Sequence, residues 1–203
     1  MEEQLSNKET VFSVVVKIIT QLEYVRESSS GKAALANLRN SIGRPLSQTI
    51  AIWPIVFEQI PESFLGKNGK LTDEEQAILT TLQIYALHQQ GRSNSVNKRS
   101  EKGQWNNIGM SLKFLRVGDD TTAIDRHFNT MITSSTYEEL IHHLRQLVRL
   151  LKAKNPDVTI DYARLGNDLY WYLRNKDENV RLRWAKAFYS RKNNLEKGEN
   201  NHD

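Results

Sequence analysis

Three amphipathic segments follow one another between residues 137 and 191, and they constrain the fold more than any other stretch. The first reads YEELIHHLRQLVRLLKAK, and its apolar residues recur at spacings of three and four. Residues at these spacings share one helical face, which is wide enough here to pack on a core. They are Leu140, Ile141, Leu144, Leu147, Val148 and Leu151. The stretch predicts a long helix with two shorter helices behind it.

The opposite face of the first segment is basic. Arg145, Arg149 and Lys152 follow His142 at helical spacing, and no acid lies between residues 140 and 156. A solvated helix face ordinarily mixes charge sign, whereas a face of one sign repels itself and favours an anionic partner. For a single stripe, a merely solvated face is an equally good interpretation. Two further acid-poor basic segments, at 91–104 and 180–192, favour an anionic polymer.

Composition excludes several classes of protein. The chain has 203 residues, a formal net charge of +4 and no cysteine, so disulfide frameworks and zinc–sulfur sites are excluded. The longest apolar run, Val14 to Val16, stops at Lys17. It is too short to span a bilayer, and no signal-peptide pattern precedes it. We expect a soluble, cytoplasmic protein with no membrane partner.

Helical periodicity continues through the rest of the chain, and no strand pattern interrupts it. We therefore predict an all-α fold of two small helical-bundle domains, residues 1–118 and 119–203, divided at Gly118. A polar, basic loop at 91–104 is expected to be mobile, because it offers almost no apolar surface to bury. Helices are predicted at about 9–27, 32–42, 73–90 and 121–133, in addition to the three segments of the C-terminal stretch. A short helix is predicted at Trp53. Another begins at Ile108 and contains Met110, Leu112, Phe114 and Leu115.

No pattern typical of catalysis or metal binding is present. His142 and His143 are adjacent, so on a helix they point about 100° apart and cannot bind one metal together. No HExxH motif and no glycine-rich phosphate loop occurs. We expect no enzyme, no metal and no cofactor. Trp105, Trp171 and Tyr172 could stack on bases, although a core position is the better interpretation of Trp171 and Trp184.

Five segments resemble a known family, the CasB small subunit of the type I-E CRISPR complex Cascade. They are LANLRNSIG (35–43), KRSEKGQWNNIGMSL (98–112), LRQLVRLLK (144–152), DYARLGNDLYWYL (161–173) and VRLRWAKAFY (180–189). The resemblance covers most of the chain from about residue 33. It implies a non-enzymatic subunit, present in two copies, that contacts the backbone subunits, the large subunit and the crRNA. It also implies binding of the single-stranded, displaced non-target DNA, which stabilises the R-loop in antiviral defence.

The resemblance and the basic stripes together give a set of candidate nucleic-acid contacts. Seven positions match basic family sites or its basic surface: Arg39, Lys98, Arg99, Arg126, Arg145, Arg174 and Lys176. Arg149, Lys152, Arg181 and Arg183 are added because they lie on acid-poor stripes, and Lys113 because it lies on the helix behind the basic loop. Phosphate contacts need arginine and lysine but no reading of bases.

Two other functions fit the sequence less well. A free-standing, all-helical DNA-binding regulator would also be basic, but the sequence shows no helix-turn-helix with a polar recognition helix. An enzyme with an unrecognised site is disfavoured because no acid/base or metal-binding set of residues occurs.

Overall fold

The computed structural model describes residues 9–101, 104, 106–118 and 120–190. The structure confirms the all-α prediction: within these ranges the chain forms α-helices, and its β structure is limited to one isolated parallel bridge between Asn97 and Ile160. The helices are α1 (Val11–Tyr24), α2 (Ser29–Asn40), α3 (Trp53–Phe57), α4 (Asp73–Gln89), α5 (Ile108–Leu112), α6 (Thr122–Ile132), α7 (Tyr137–Lys154), α8 (Tyr162–Trp171) and α9 (Asp177–Tyr189).

Side-chain caps begin α4 and α7. Thr72 accepts a hydrogen bond from Glu75 N, while the Glu75 carboxylate accepts one from Thr72 N at 2.7 Å. Thr136 accepts from Glu139 N at the start of α7. Each cap satisfies amide groups that have no partner inside the helix.

Helix α4 is the centre of the molecule. Every residue from Ala77 to Gln89 is buried, although the sequence predicts only one apolar face. Several buried polar groups of α4 find partners. Thr81 Oγ1 donates to Ala77 O at 2.7 Å, and Gln83 Nε2 donates to Ser41 Oγ at 2.9 Å. Because these hydrogen bonds offset the cost of removing polar groups from water, a helix with polar residues all round can lie inside.

The core continues across the predicted domain boundary. Gly118 turns the chain with a φ of +80°, yet α8, which follows this turn, packs chiefly against α4 and α1. The buried apolar residues of the described chain form one connected cluster, from Val11 to Phe188. The core therefore does not separate at Gly118, and the division into two bundles stays a prediction.

The leucine face of α7 is buried as predicted, and α6 packs on the same helix. Helix α9 packs on α5. Its Phe188 ring stacks on the Phe128 ring of α6, with centroids 3.8 Å apart. Trp184 is fully buried at 0% exposure, which confirms its predicted core position.

Trp171 is 42% exposed, so the prediction that it lies in the core is wrong. The buried face of α8 instead runs through Tyr162, Leu165 and Leu169 to Tyr172. Trp171 precedes Tyr172 directly and so lies about 100° away from that face. Its indole is available to a partner.

The basic loop is packed more firmly than its composition suggests. Val96 is 3% exposed, Ile160 N donates to Val96 O at 2.9 Å, and Lys98 N donates to Ile160 O at 3.1 Å. The Ser100 amide and hydroxyl both donate to Asp161 Oδ2, at 2.9 and 2.8 Å. The premise that the loop buries nothing is wrong for its described part, because one valine and the backbone pairing anchor it. Lys102 and Trp105 lie outside the described residues.

Candidate nucleic-acid interface

Three basic residues from three elements meet where α4 and α7 end. They are Arg39 on α2, Arg92 in the loop after α4 and Lys152 on α7, here called the Arg39–Arg92–Lys152 cluster. Lys152 Nζ donates to Leu87 O at 3.3 Å, and the Arg92 guanidinium donates to Lys152 O. Burial, together with the positive charges of Arg92 and Arg39, lowers the pKa of Lys152. The cluster thus concentrates positive charge at one place on the surface.

Part of this charge has a structural role. Carbonyl groups at the C-terminal end of a helix attract cations, and here Lys152 and Arg92 bind carbonyls near the ends of α4 and α7. Arg39 forms no ion pair with any residue that the structure describes. A bound phosphate would relieve the mutual repulsion of the three groups.

The predicted basic stripe of α7 is uneven. Arg149 is exposed and forms no ion pair within the described ranges, as expected for a residue that meets a partner. Arg145 is half-buried, and burial lowers the pKa of its guanidinium. Its Nε atom is buried without a hydrogen-bond partner in the described chain. Arg149 is therefore the most accessible of the three predicted cations of this stripe, Arg145, Arg149 and Lys152.

Arg181 and Arg183 are paired, contrary to the argument that added them to the candidate set. The Arg181 guanidinium donates to the carbonyls of Ile132 and Ser134 and lies 3.3 Å from Asp177. Arg183 lies 2.7 Å from the buried carboxylate of Asp168. Both acids lie outside the acid-poor segment 180–192. Asp177 is one helical turn before Arg181, and Asp168 is on the neighbouring helix α8. Through its hydrogen bonds to the carbonyls of Ile132 and Ser134, Arg181 connects α9 to the turn between α6 and α7.

The junction of α8 and α9 presents two more candidates. Arg174 and Lys176 are both exposed and flank Asn175, which has a positive φ of 58°. Arg174 lies 3.7 Å from Asp73. Asparagine is one of the few residues other than glycine that adopts this conformation readily, so the turn holds the two cations outward.

The remaining candidates are spread over the surface. Lys98 and Arg126 are exposed, and the Arg99 guanidinium lies over the Phe12 ring at 5.7 Å. Lys113 Nζ donates to Ser190 Oγ at 2.9 Å.

Among the predicted residues, Arg39 and Lys152 meet in one cluster. The structure adds Arg92, which is not among the predicted residues. The signal that could have found it is its place directly after Gly91, at the end of the central helix.

Within the described ranges, no three histidine, cysteine or acidic side chains are grouped so that they could hold a metal ion. His142 and His143 have ring centroids 5.4 Å apart, and Gln146 bridges His142 to His127 on α6. No helix in the described part of the chain has the length and apolar character needed to cross a membrane.

Comparisons with known proteins agree with this architecture. CasB from Thermobifida fusca has the same fold, with a TM-score of 0.70 and 22% sequence identity over 89% of this chain and 98% of that one. A Cse2-family CRISPR-associated protein from Thermus thermophilus gives 0.62 and 22% over 87% and 98%. A chain of a CRISPR RNA-guided surveillance complex gives 0.62 and 17% over 88% and 95%.

A search of curated proteins finds no match. Residues 34–189 match the family of the CRISPR-associated protein Cse2, and this range spans the core from α2 to α9. The resemblance to CasB is thereby confirmed, and the chain belongs to the CRISPR-associated Cse2 (CasB) family.

Proposed function

We propose that this chain is the non-catalytic small subunit of a crRNA-guided surveillance complex of the Cascade type. Its role there is to bind the displaced, single-stranded non-target DNA and so to stabilise the R-loop. Family membership supports the assignment to a CRISPR system, and a chain of similar fold belongs to a CRISPR RNA-guided surveillance complex.

The Arg39–Arg92–Lys152 cluster is the observation that carries the DNA-binding part of the proposal. It gathers three cations, and burial together with the neighbouring charges lowers the pKa of Lys152. R-loop formation exchanges one duplex for another of similar stability, so a few phosphate contacts to the displaced strand can shift the balance. Such contacts depend on charge and position rather than on base identity.

The accessible members of the candidate set extend this basic surface. Arg149 on α7 and the Arg174–Lys176 pair are exposed, so they can contact a flexible strand without any change in the core. Within the complex, the chain would contact backbone subunits, the large subunit, crRNA and a second copy of itself. It would act in the cytoplasm, where the complex meets invading DNA.

Purification of the tagged protein with its native operon tests this proposal. We expect it to elute with several larger subunits and a short RNA of uniform length. The control is the same tagged protein expressed alone, which should elute without RNA of that length. Elution as a lone dimer that binds duplex DNA, in the presence of the whole operon, would instead favour a free-standing regulator.

A further inference from the structure

A cleft of about 400 Å³ lies between the loop at 98–101, the end of α5 and residues 157–159. This volume is within the roughly 300–1,000 Å³ range of sites that hold small ligands. None of the three residues of the Arg39–Arg92–Lys152 cluster lines it. The cleft is therefore separate from that cluster, and the candidate residues Lys98 and Arg99 are part of its lining.

The walls of the cleft are held in place by hydrogen bonds. The loop pairs with Ile160 through its backbone, and Ser100 is bonded twice to Asp161. On the other side, Ser111 Oγ of α5 donates to Thr159 O at 2.9 Å. A ligand would meet a formed site and would not have to order the loop first, which lowers the entropic cost of binding.

One wall is apolar and open to solvent. Phe114 is 52% exposed, and Met110 lies about one helical turn before it. An exposed aromatic ring forgoes the stabilisation of burial, and it offers a flat face to a partner. Bases of single-stranded nucleic acid stack on such rings whatever their identity.

The polar lining of the cleft suits a nucleotide. Lys98 and Arg99 are exposed cations that can bind the phosphates on either side of a base. Two acids line the cleft: Asp157, and Glu101, whose carboxylate accepts a hydrogen bond from Gln104 Nε2 at 3.4 Å. A carboxylate repels phosphate but accepts hydrogen bonds from a base. Cytosine, adenine and guanine carry an exocyclic amino donor, whereas thymine has none.

We infer that this cleft takes one unpaired base of the bound DNA strand, stacked on Phe114, and that Asp157 favours bases with an exocyclic amino group. The inference rests on the proposed function, since it assumes that single-stranded DNA is the partner. It adds a local base preference to a surface that otherwise contacts phosphates alone.

Binding of two labelled oligonucleotides to the full-length protein tests the inference. Fluorescence anisotropy at pH 7.5 and low salt would compare twenty-residue strands of deoxycytidine and of thymidine. We expect about five-fold tighter binding of the cytidine strand. Asp157→Ala should remove this preference, while Glu58→Ala, which deletes an exposed acid outside the cleft, should retain it.

A second pair of variants tests the stacking wall. Phe114→Ala should weaken binding of both strands by roughly ten-fold, and Phe114→Trp should restore it. Val117→Ala, which truncates another exposed apolar side chain outside the cleft, should have no effect.

Three outcomes would overturn the inference. The wild-type protein could bind both strands equally, Asp157→Ala could retain the preference, or Phe114→Ala could bind as tightly as wild type. In each of these cases strand binding persists, so the proposed function survives. Failure of the wild-type protein to bind either strand would contradict its DNA-binding role as well.

Discussion

His88 is buried in the central helix, and its Nδ1 atom lies 2.9 Å from the Tyr162 hydroxyl. Burial, with the charges of Arg92 and Lys152, lowers the pKa of His88 from 6.5 to about 4. Between about pH 6.5 and pH 4, His88 therefore binds a proton in the unfolded chain but stays neutral in the folded chain. We expect the free energy of unfolding to fall by roughly 3 kcal/mol in total as the pH drops from about 6.5 to about 4.

Urea unfolding at pH 7.5 and pH 5 measures this dependence. His88→Gln should flatten it, whereas His142→Gln, at an exposed histidine of α7, should leave it as in wild type. The same pH dependence in wild type and His88→Gln would show that other groups cause the acid sensitivity.

Arg181 and Arg149 are both arginines of predicted basic stripes, yet their contacts differ. Arg181→Ala should destabilise the fold by about 2 kcal/mol, because the carbonyls of Ile132 and Ser134 lose their donor. Arg149→Ala should change stability by at most about 0.5 kcal/mol, since its side chain is exposed and has no ion pair in the described chain. Equal stability of the two variants, measured by urea unfolding, would contradict these assignments.

At the scale of elements, α5 and α9 meet at a glycine. A Cβ atom at Gly109 would lie 2.1 Å from Trp184 O, a backbone atom that cannot rotate away. In an open helix, glycine to alanine gains about 1 kcal/mol from helix propensity. Here we expect Gly109→Ala to lose about 3 kcal/mol, because the two helices must move apart.

Thermal or urea unfolding would measure this loss, with Gly69→Ala as the control. Gly69 has a positive φ of 66° and open space around its Cβ position, so alanine there strains only the backbone, by about 1 kcal/mol. A loss at Gly109 no larger than that at Gly69 would mean that α5 and α9 adjust freely.

The positions of the long helices could be predicted from sequence because period and capping act locally. The leucine face of α7 is confirmed for that reason. The full burial of α4 could not be predicted from sequence, because it depends on hydrogen bonds to residues far away in the chain, such as Ser41. The core position predicted for Trp171 is wrong, because α8 ends at this residue, which lies off the buried face of the helix.

The candidate site was predictable only in part for a related reason. Charge patterns locate cations along the chain but not the groups that approach from other elements. Arg183 has a pairing acid on α8, and Arg92 reaches α7 across the fold. Which cations remain available is a property of the packed structure.

At the scale of the whole molecule, the central claim is that the basic surface holds the displaced strand of an R-loop. Arg39 and Arg149 are suited to a test, because neither forms an ion pair with a described residue. Replacing both with glutamine removes two positive charges with little expected effect on the fold. Lys17→Gln with Lys70→Gln removes the same charge from exposed positions outside the candidate set.

The decisive measurement is the lifetime of the R-loop formed by the assembled complex at several salt concentrations. With Arg39 and Arg149 both changed to glutamine, we expect an R-loop lifetime about ten-fold shorter. The log–log salt dependence of single-strand binding should flatten by about 0.7 for each lost contact. Binding of crRNA and the lifetime with the lysine control should stay as in wild type. An unchanged lifetime and salt dependence in a fully assembled complex would contradict the account.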